Sequence, residues 1–249
     1  MSFVNKVAFV TGAGGGIGYQ ISCDLVYEGA RVVMFDIKPQ PEKMPGTADT
    51  VIYVQGDLTI DGDVSSAAQR AADTLGDIDY LANVAGALWF DRDKSALEMD
   101  LEVWDQVMNI NLKSMVHTAR HVVPQMRKRG GGAMVHFSST QCMRGDSVPQ
   151  DAYQAAKAGV VAFSKSLAIQ LAGDNIRSNA IYPGPTESPM QDRWKENPAG
   201  KAAVAAAVPL GRVGTVQDLS NACLFLLSDK ASYITGTELL VDGGLQAKP

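Results

Sequence analysis

"KVAFVTGAGGGIGYQIS", residues 6–22, joins a short apolar run to a glycine-rich turn and then to an amphipathic stretch. Val7, Phe9 and Val10 suit a strand buried on both faces. Ile17, Ile21 and Leu25 then recur at helical spacing, and Gly29 stands where that helix ends. A strand, a tight turn and a helix in this order bring free backbone N–H groups to the strand's end, where they can receive an anion. A diphosphate is the usual occupant of such a turn in a parallel sheet. The pattern that fits is TGxxxGxG, on Thr11, Gly12, Gly16 and Gly18. A GxGxxG pattern starting at Gly12 fails because Ile17 stands where the third glycine would fall.

The alternation continues along the chain. "RVVMFD", "VIYVQGD", "IDYLANVAG", "AMVHFSS", "IRSNAIYPG" and "GTELLVDGG" read as further strands, separated by helical stretches. Val- and Ile-rich strands alternating with helices predict an α/β fold, a doubly wound parallel sheet of about seven strands with helices on both faces. No repeat, low-complexity tract or linker divides residues 1–249, so one domain is expected. Hydrophobic residues make up 46% and charged residues 20%, a globular balance. The net charge of −5 argues against a nucleic-acid or anionic-membrane surface. No apolar run is long enough for a membrane-spanning helix, and "MSFVNKVAFVTG" reads as a first strand rather than a signal peptide.

Cys23, Cys142 and Cys223 are odd in number and widely spaced, which fits reduced cytoplasmic thiols rather than disulfides or a metal site. His117 and His121 have an i, i+4 spacing that could ligate a metal, but no HExxH-type carboxylate accompanies them. His136 lies in a strand. No metal site is expected.

"DAYQAAKAG", residues 151–159, places Tyr153 and Lys157 one helical turn apart on one face, among small residues. With this pair included, the chain resembles the short-chain dehydrogenase/reductase superfamily in its single-domain form. The resemblance runs from about Asn5 to Leu245 through "TGAGGGIG", "GDL" at 56–58, "NVAG" at 83–86, "NINL" at 109–112, "SS" at 138–139, YxxxK at 153–157 and "PG" at 183–184. Each motif is short; seven in order make chance improbable. The resemblance implies a Rossmann-type fold and a nicotinamide dinucleotide bound by Gly12, Gly16, Ile17 and Gly18. It sets Asp57 and Leu58 beside the adenine, and Asn83 and Gly86 along the adenosine side. It also brings Pro183, Gly184, Thr186 and Ser188 to the cofactor amide.

Asp36 ends the second strand, eighteen residues after Gly18. A carboxylate there accepts hydrogen bonds from ribose hydroxyls and repels a 2′-phosphate. No cation occupies the glycine turn, and Lys38 reads as solvent-facing, so NAD is the expected cofactor.

Tyrosine's ordinary pKa of about 10 is too high for a base near neutrality, and an adjacent ammonium lowers it. Tyr153 is therefore expected to take the alcohol proton during oxidation and return it during reduction, while Lys157 holds the cofactor ribose. The resemblance adds Ser139 to orient the substrate oxygen, with Thr140 as the fallback, because the interval to Tyr153 is one residue longer than the family's commonest. It adds Asn111 as a helix-disrupting residue that holds a proton-relay water; Asn109 reads as structural.

Residues 187–210 read by resemblance as a substrate lid. Met190, Trp194, Trp89, Phe90 and Met143 are candidates for an apolar wall, and Arg144, Arg193 and Lys195 for anion recognition. The expected substrate is a small-molecule secondary alcohol or ketone of the cyclic alcohol, sugar or polyol class, with an acyl-carrier substrate disfavoured by Asp36. The alternative is a dinucleotide-binding regulatory protein without turnover. The resemblance implies a cytoplasmic homo-oligomer, tetramer or dimer, packed through helices near 100–128 and 152–171. Met115, Val116, Ala119, Val122, Val123, Val160, Val161, Phe163 and Leu167 supply apolar surface there for core or interface.

Overall fold

The computed structural model describes residues 3–248. The chain alternates strands and helices in the order β1 (Val7–Thr11), α1 (Gly16–Tyr27), β2 (Arg31–Asp36), β3 (Val51–Gln55), α2 (Asp61–Thr74) and β4 (Tyr80–Asn83). It continues through α3 (Leu101–Met108), α4 (Ser114–Lys128), β5 (Gly132–Phe137), α5 (Asp151–Leu171), β6 (Ile176–Pro183), α6 (Arg193–Glu196), α7 (Pro198–Ala207), α8 (Val216–Leu227) and β7 (Glu238–Val241).

All seven strands pair in parallel in one sheet, in the order β3-β2-β1-β4-β5-β6-β7. The order reverses between β1 and β4, and ligands bind outside the carboxyl ends of strands at such a switch point. Alternation along β1 splits the core in two. Val7 and Phe9 join Val33, Leu81, Val122 and Met126 on one face, while Ala8 and Val10 join Ile21, Leu25, Leu219 and Leu227 on the other. Burying each such large side chain contributes about 1.5–3 kcal/mol, so both helical layers are held by the strands' two faces.

The helical stretch from Leu101 to Lys128 carries a π-helical turn, Asn109–Lys113, between α3 and α4, around the residue expected to disrupt it. Of the apolar residues left open between core and interface, most face inward. Met115, Ala119, Val122, Val123, Val160 and Val161 are buried within the chain, and Phe163 and Leu167 pack against the core. Their helical spacing was that of the core stripe.

Candidate active site

The carboxyl ends of the strands open into a cleft of about 650 Å³. At one end lies the glycine turn. α1 starts after Gly15 with no side chain capping it, so its first-turn N–H groups lack internal partners. Gly15, Gly16, Ile17 and Gly18 line the cleft there, together with Gly12. A Cβ on Gly18 would come within 2.3 Å of the Gly12 carbonyl oxygen, so only glycine lets α1 sit this close to the turn. An uncapped helix start over a cleft of this size fits the diphosphate of a dinucleotide.

Asp36 crosses the end of β2 to this turn. Its Oδ2 accepts the Gly14 N–H at 2.8 Å and its Oδ1 accepts the Lys38 N–H at 2.9 Å. It lines the cleft, and so does Lys38, which is exposed yet stands at the same rim rather than pointing only to solvent. Asp57 and Leu58 also line the cleft, with the Asp57 carboxylate accepting both the N–H and the hydroxyl of Thr59 at 2.8 Å.

Asn83 departs from expectation. Its amide lies in the core, with Nδ2 on His136 Nδ1 at 3.1 Å and Oδ1 accepting the Thr118 hydroxyl at 2.9 Å. The following backbone, Val84 to Gly86, meets the cleft instead. Burial drives His136 down to about pKa 4, so it holds the network as a neutral ring. His117 and His121 do not converge either: Nδ1 of His117 pairs with the Leu58 carbonyl at 2.9 Å, and Nε2 of His121 with Asp61 at 3.0 Å.

The chemical end is built on α5. Tyr153 and Lys157 share its buried face, with the Lys157 ammonium 5.6 Å from the centre of the Tyr153 ring. Lys157 Nζ donates to the Phe137 carbonyl at 2.8 Å. A Cβ on Gly86 would come within 2.8 Å of Asn111 Oδ1 and 3.1 Å of Lys157 Nζ, so glycine is what lets these two side chains reach the β4 end. Asn111 sits in the π-turn. Its Oδ1 accepts the Ala87 N–H at 3.1 Å, and its Nδ2 donates to the carbonyls of Ala87 at 2.9 Å and Val107 at 3.0 Å. The side chain thus takes over a helical carbonyl, as π-turns at functional sites often require. All three bonds go to backbone, so the Asn111 side chain braces the turn against the β4 loop.

The hydroxyls after β5 separate cleanly. Ser138 donates to the Lys157 carbonyl at 2.7 Å, tying the β5 end to α5, and Thr140 to the Pro183 carbonyl at 3.1 Å, tying it to the β6 end. Ser139 remains beside the phenol. Burial raises the Tyr153 pKa to about 12, and the hydrogen bond with Ser139 pulls in the opposite direction. Burial lowers Lys157 to about 8. Burial sets the direction of both shifts, because both groups lie almost wholly out of water.

Beyond β6 the expected cofactor residues divide. Gly184 donates to the Val241 carbonyl at 3.0 Å and Thr186 to the Gly184 carbonyl at 2.9 Å, so they shape the loop. Pro183, Gly184 and Thr186 do not line the cleft; Ser188 does, with Pro189 and Met190. A Cβ on Gly16 would come within 2.9 Å of Pro189 Cδ, so this segment rests on the glycine turn. Trp89 and Met190 line the cleft, joined by Leu88 and Ile110, which no sequence motif singled out. Trp194 is buried and lines a second cavity of about 680 Å³, formed mostly by residues between Glu187 and Ala205. The Arg193 guanidinium stacks 3.8 Å from the centre of the Phe90 ring, and Lys195 pairs with Asp192 at 2.8 Å. Both cations are thus engaged away from an anionic ligand.

A seven-stranded doubly wound sheet carries a glycine turn at its switch point, and Ser139, Tyr153 and Lys157 lie buried at the β5 end and on α5; together these features fit a dinucleotide-dependent oxidoreductase. A family model described as enoyl-(acyl carrier protein) reductase matches residues 12–246, and the chain belongs to the short-chain dehydrogenase/reductase superfamily. It is 35% identical over 98% of its length, and 99% of the relative's, to the 3-oxoacyl-acyl-carrier-protein reductase FabG of Thermotoga maritima. It is 37% identical to the enzyme of that name from Chlamydia muridarum, over 97% of this chain and 98% of the relative. Among solved structures it is similar to a short-chain dehydrogenase/reductase from Burkholderia xenovorans, with TM-score 0.91, 30% identity and coverage of 99% of this chain and 98% of that one. It is also similar to the aldohexose dehydrogenase of Thermoplasma acidophilum, with TM-score 0.89, 28% identity and coverage of 99% and 96%.

Proposed function

We propose that the protein is an NAD-dependent dehydrogenase/reductase that interconverts a secondary alcohol and its ketone. The observation that carries this reading is Tyr153 buried one turn from Lys157 on α5, with the Ser139 hydroxyl beside it. When bound, the nicotinamide ring supplies the hydride acceptor or donor. Ser139 orients the substrate oxygen; Tyr153 takes or returns its proton through the phenol oxygen. Lys157 leaves the Phe137 carbonyl or shares it to hold a ribose hydroxyl, and Asn111 keeps the β4 loop at the height this requires. Gly12, Gly16, Ile17 and Gly18 hold the diphosphate, Asp57 and Leu58 flank the adenine, and Ser188 reaches the nicotinamide amide.

NAD is favoured by Asp36, whose carboxylate faces the ribose end of the cleft with each oxygen retaining an unused lone pair. Lys38 at the rim is the feature that opposes it. The apolar wall of Leu88, Trp89, Ile110 and Met190 suits a small cyclic alcohol better than a sugar or polyol, whose hydroxyls would lose water without partners. A second reading, reduction of a 3-oxoacyl thioester, is favoured by the curated relatives at 35% and 37% identity. Residues 187–210 act as the lid, and the chain works as a cytoplasmic homo-oligomer, a tetramer or dimer. Turnover of cyclic alcohols, polyols and 3-oxoacyl thioesters with NAD and with NADP, against Tyr153→Phe, tests the whole reading. Tight NADH binding with no turnover of any substrate favours the regulatory alternative.

A further inference from the structure

The loop between β4 and α3 carries a carboxylate that none of the roles above uses. Asp93 is 1% exposed. Its Oδ1 accepts the N–H of Ala152 at 3.1 Å and its Oδ2 accepts the N–H of Tyr153 at 2.9 Å. These are first-turn donors of α5, which no carbonyl of the helix can satisfy. α5 has no side-chain cap of its own: Gln150 stands at the N-cap position without a capping bond, and its Oε1 accepts from Gln141 at 2.7 Å. The cap comes instead from sixty residues away in the chain.

The attachment is reciprocal. Asp151 Oδ2 accepts the Ala96 N–H at 2.8 Å, so the helix caps a turn of the loop that caps the helix. The same loop carries Leu88 and Trp89, which line the cleft and pack on the cluster that includes Ala152 and Tyr153. A serine or threonine cap would occupy one donor; the carboxylate takes two, and one of them belongs to Tyr153 itself. Burial raises the Asp93 pKa, and the two N–H groups oppose that rise.

We propose that Asp93 is a positioning residue for Tyr153: holding the Ala152 and Tyr153 N–H groups, it sets the first turn of α5 and thereby the place of the phenol oxygen between Ser139 and the Trp89 wall. This inference rests on the proton-transfer role assigned to Tyr153.

The test compares Asp93→Ala, Asp93→Asn and Asp151→Ala with the parent protein. Three readouts are used: amide hydrogen exchange at Ala152 and Tyr153 without added cofactor, the NADH dissociation constant, and kcat and KM on the best substrate of the panel. Asp93→Ala should speed exchange at both amides and lower kcat by roughly ten- to a hundredfold, the scale of an ångström-level misplacement, while NADH affinity stays near the parent's. Asp93→Asn keeps one acceptor oxygen and should recover part of kcat. Asp151→Ala frees only the loop and should act mainly on KM. Unchanged kcat in Asp93→Ala despite faster exchange overturns the proposal, as does a parallel loss of kcat and NADH affinity. If Asp93→Ala does not fold, Asp93→Asn decides: faster Tyr153 exchange with parental kcat overturns it equally. Failure of the underlying reading is separate, because it shows as undiminished turnover by Tyr153→Phe.

Discussion

Lys157 points its ammonium past the Tyr153 ring, 5.6 Å from the ring centre, to the main-chain carbonyl of Phe137 at 2.8 Å. Its bond therefore ties α5 to the end of β5, and burial has lowered its pKa to about 8. The group that the proposed reaction needs is held against its preference for water.

That placement has a pH signature. The folded pKa lies below the unfolded one, so the unfolded chain binds the extra proton between about pH 8 and 10.4. Relative to Lys157→Met, the parent protein should lose stability as pH falls through that window, by up to about 3 kcal/mol, and no further below it. Denaturant unfolding of both proteins across pH 7–10.5 checks this; parallel curves would contradict it. Activity in Lys157→Met should drop at least a hundredfold, within the range for a lost acid–base component.

His136 gives a second window on the acid side. Its neutral form is held with a pKa near 4, against about 6.5 when unfolded. Stability is fully present above about pH 6.5 and falls as pH drops toward 4, by roughly 3 kcal/mol. In His136→Gln the acid limb of the stability profile should flatten.

Asp36→Ala should lower kcat/KM with NAD by about ten- to a hundredfold, the value of a hydrogen bond to a charged group, and leave NADP less affected. The ratio of kcat/KM for the two cofactors is the measurement. An unchanged ratio would mean that Asp36 serves only the Gly14 and Lys38 N–H groups.

The Arg193–Phe90 stack joins α6 to the loop between β4 and α3. At an exposed site such a contact is worth about 0.5–1 kcal/mol, so Arg193→Ala should raise protease cleavage within residues 187–210 a few-fold. Equal cleavage rates would show that Pro189, resting on Gly16, holds the segment by itself.

Much of this was legible in the sequence. The glycine turn, the seven strands and the Tyr153–Lys157 face follow from local pattern, because strand alternation and helical spacing express themselves over a few residues. The sheet order and the roles of single polar side chains did not. Asn83 shows why: its "NVAG" setting matches a cofactor motif, yet its strand parity turns the amide into the core toward His136 and Thr118. Ser139 and Thr140 could not be told apart until β5 and β6 were paired and Thr140 met the Pro183 carbonyl. Asp93 left no signal, since its partners lie sixty residues away. The burial that raises the phenol's pKa left no signal for the same reason: it is a tertiary quantity.

The central claim is that Tyr153 transfers the proton. The most direct measurement is NADH formation from NAD by the parent protein and by Tyr153→Phe, on the best alcohol of the panel, with NADH affinity determined for both. The account predicts a loss of kcat of a hundredfold or more with NADH binding retained, within the range of a lost general acid–base group. Turnover by Tyr153→Phe at the parental rate would contradict it.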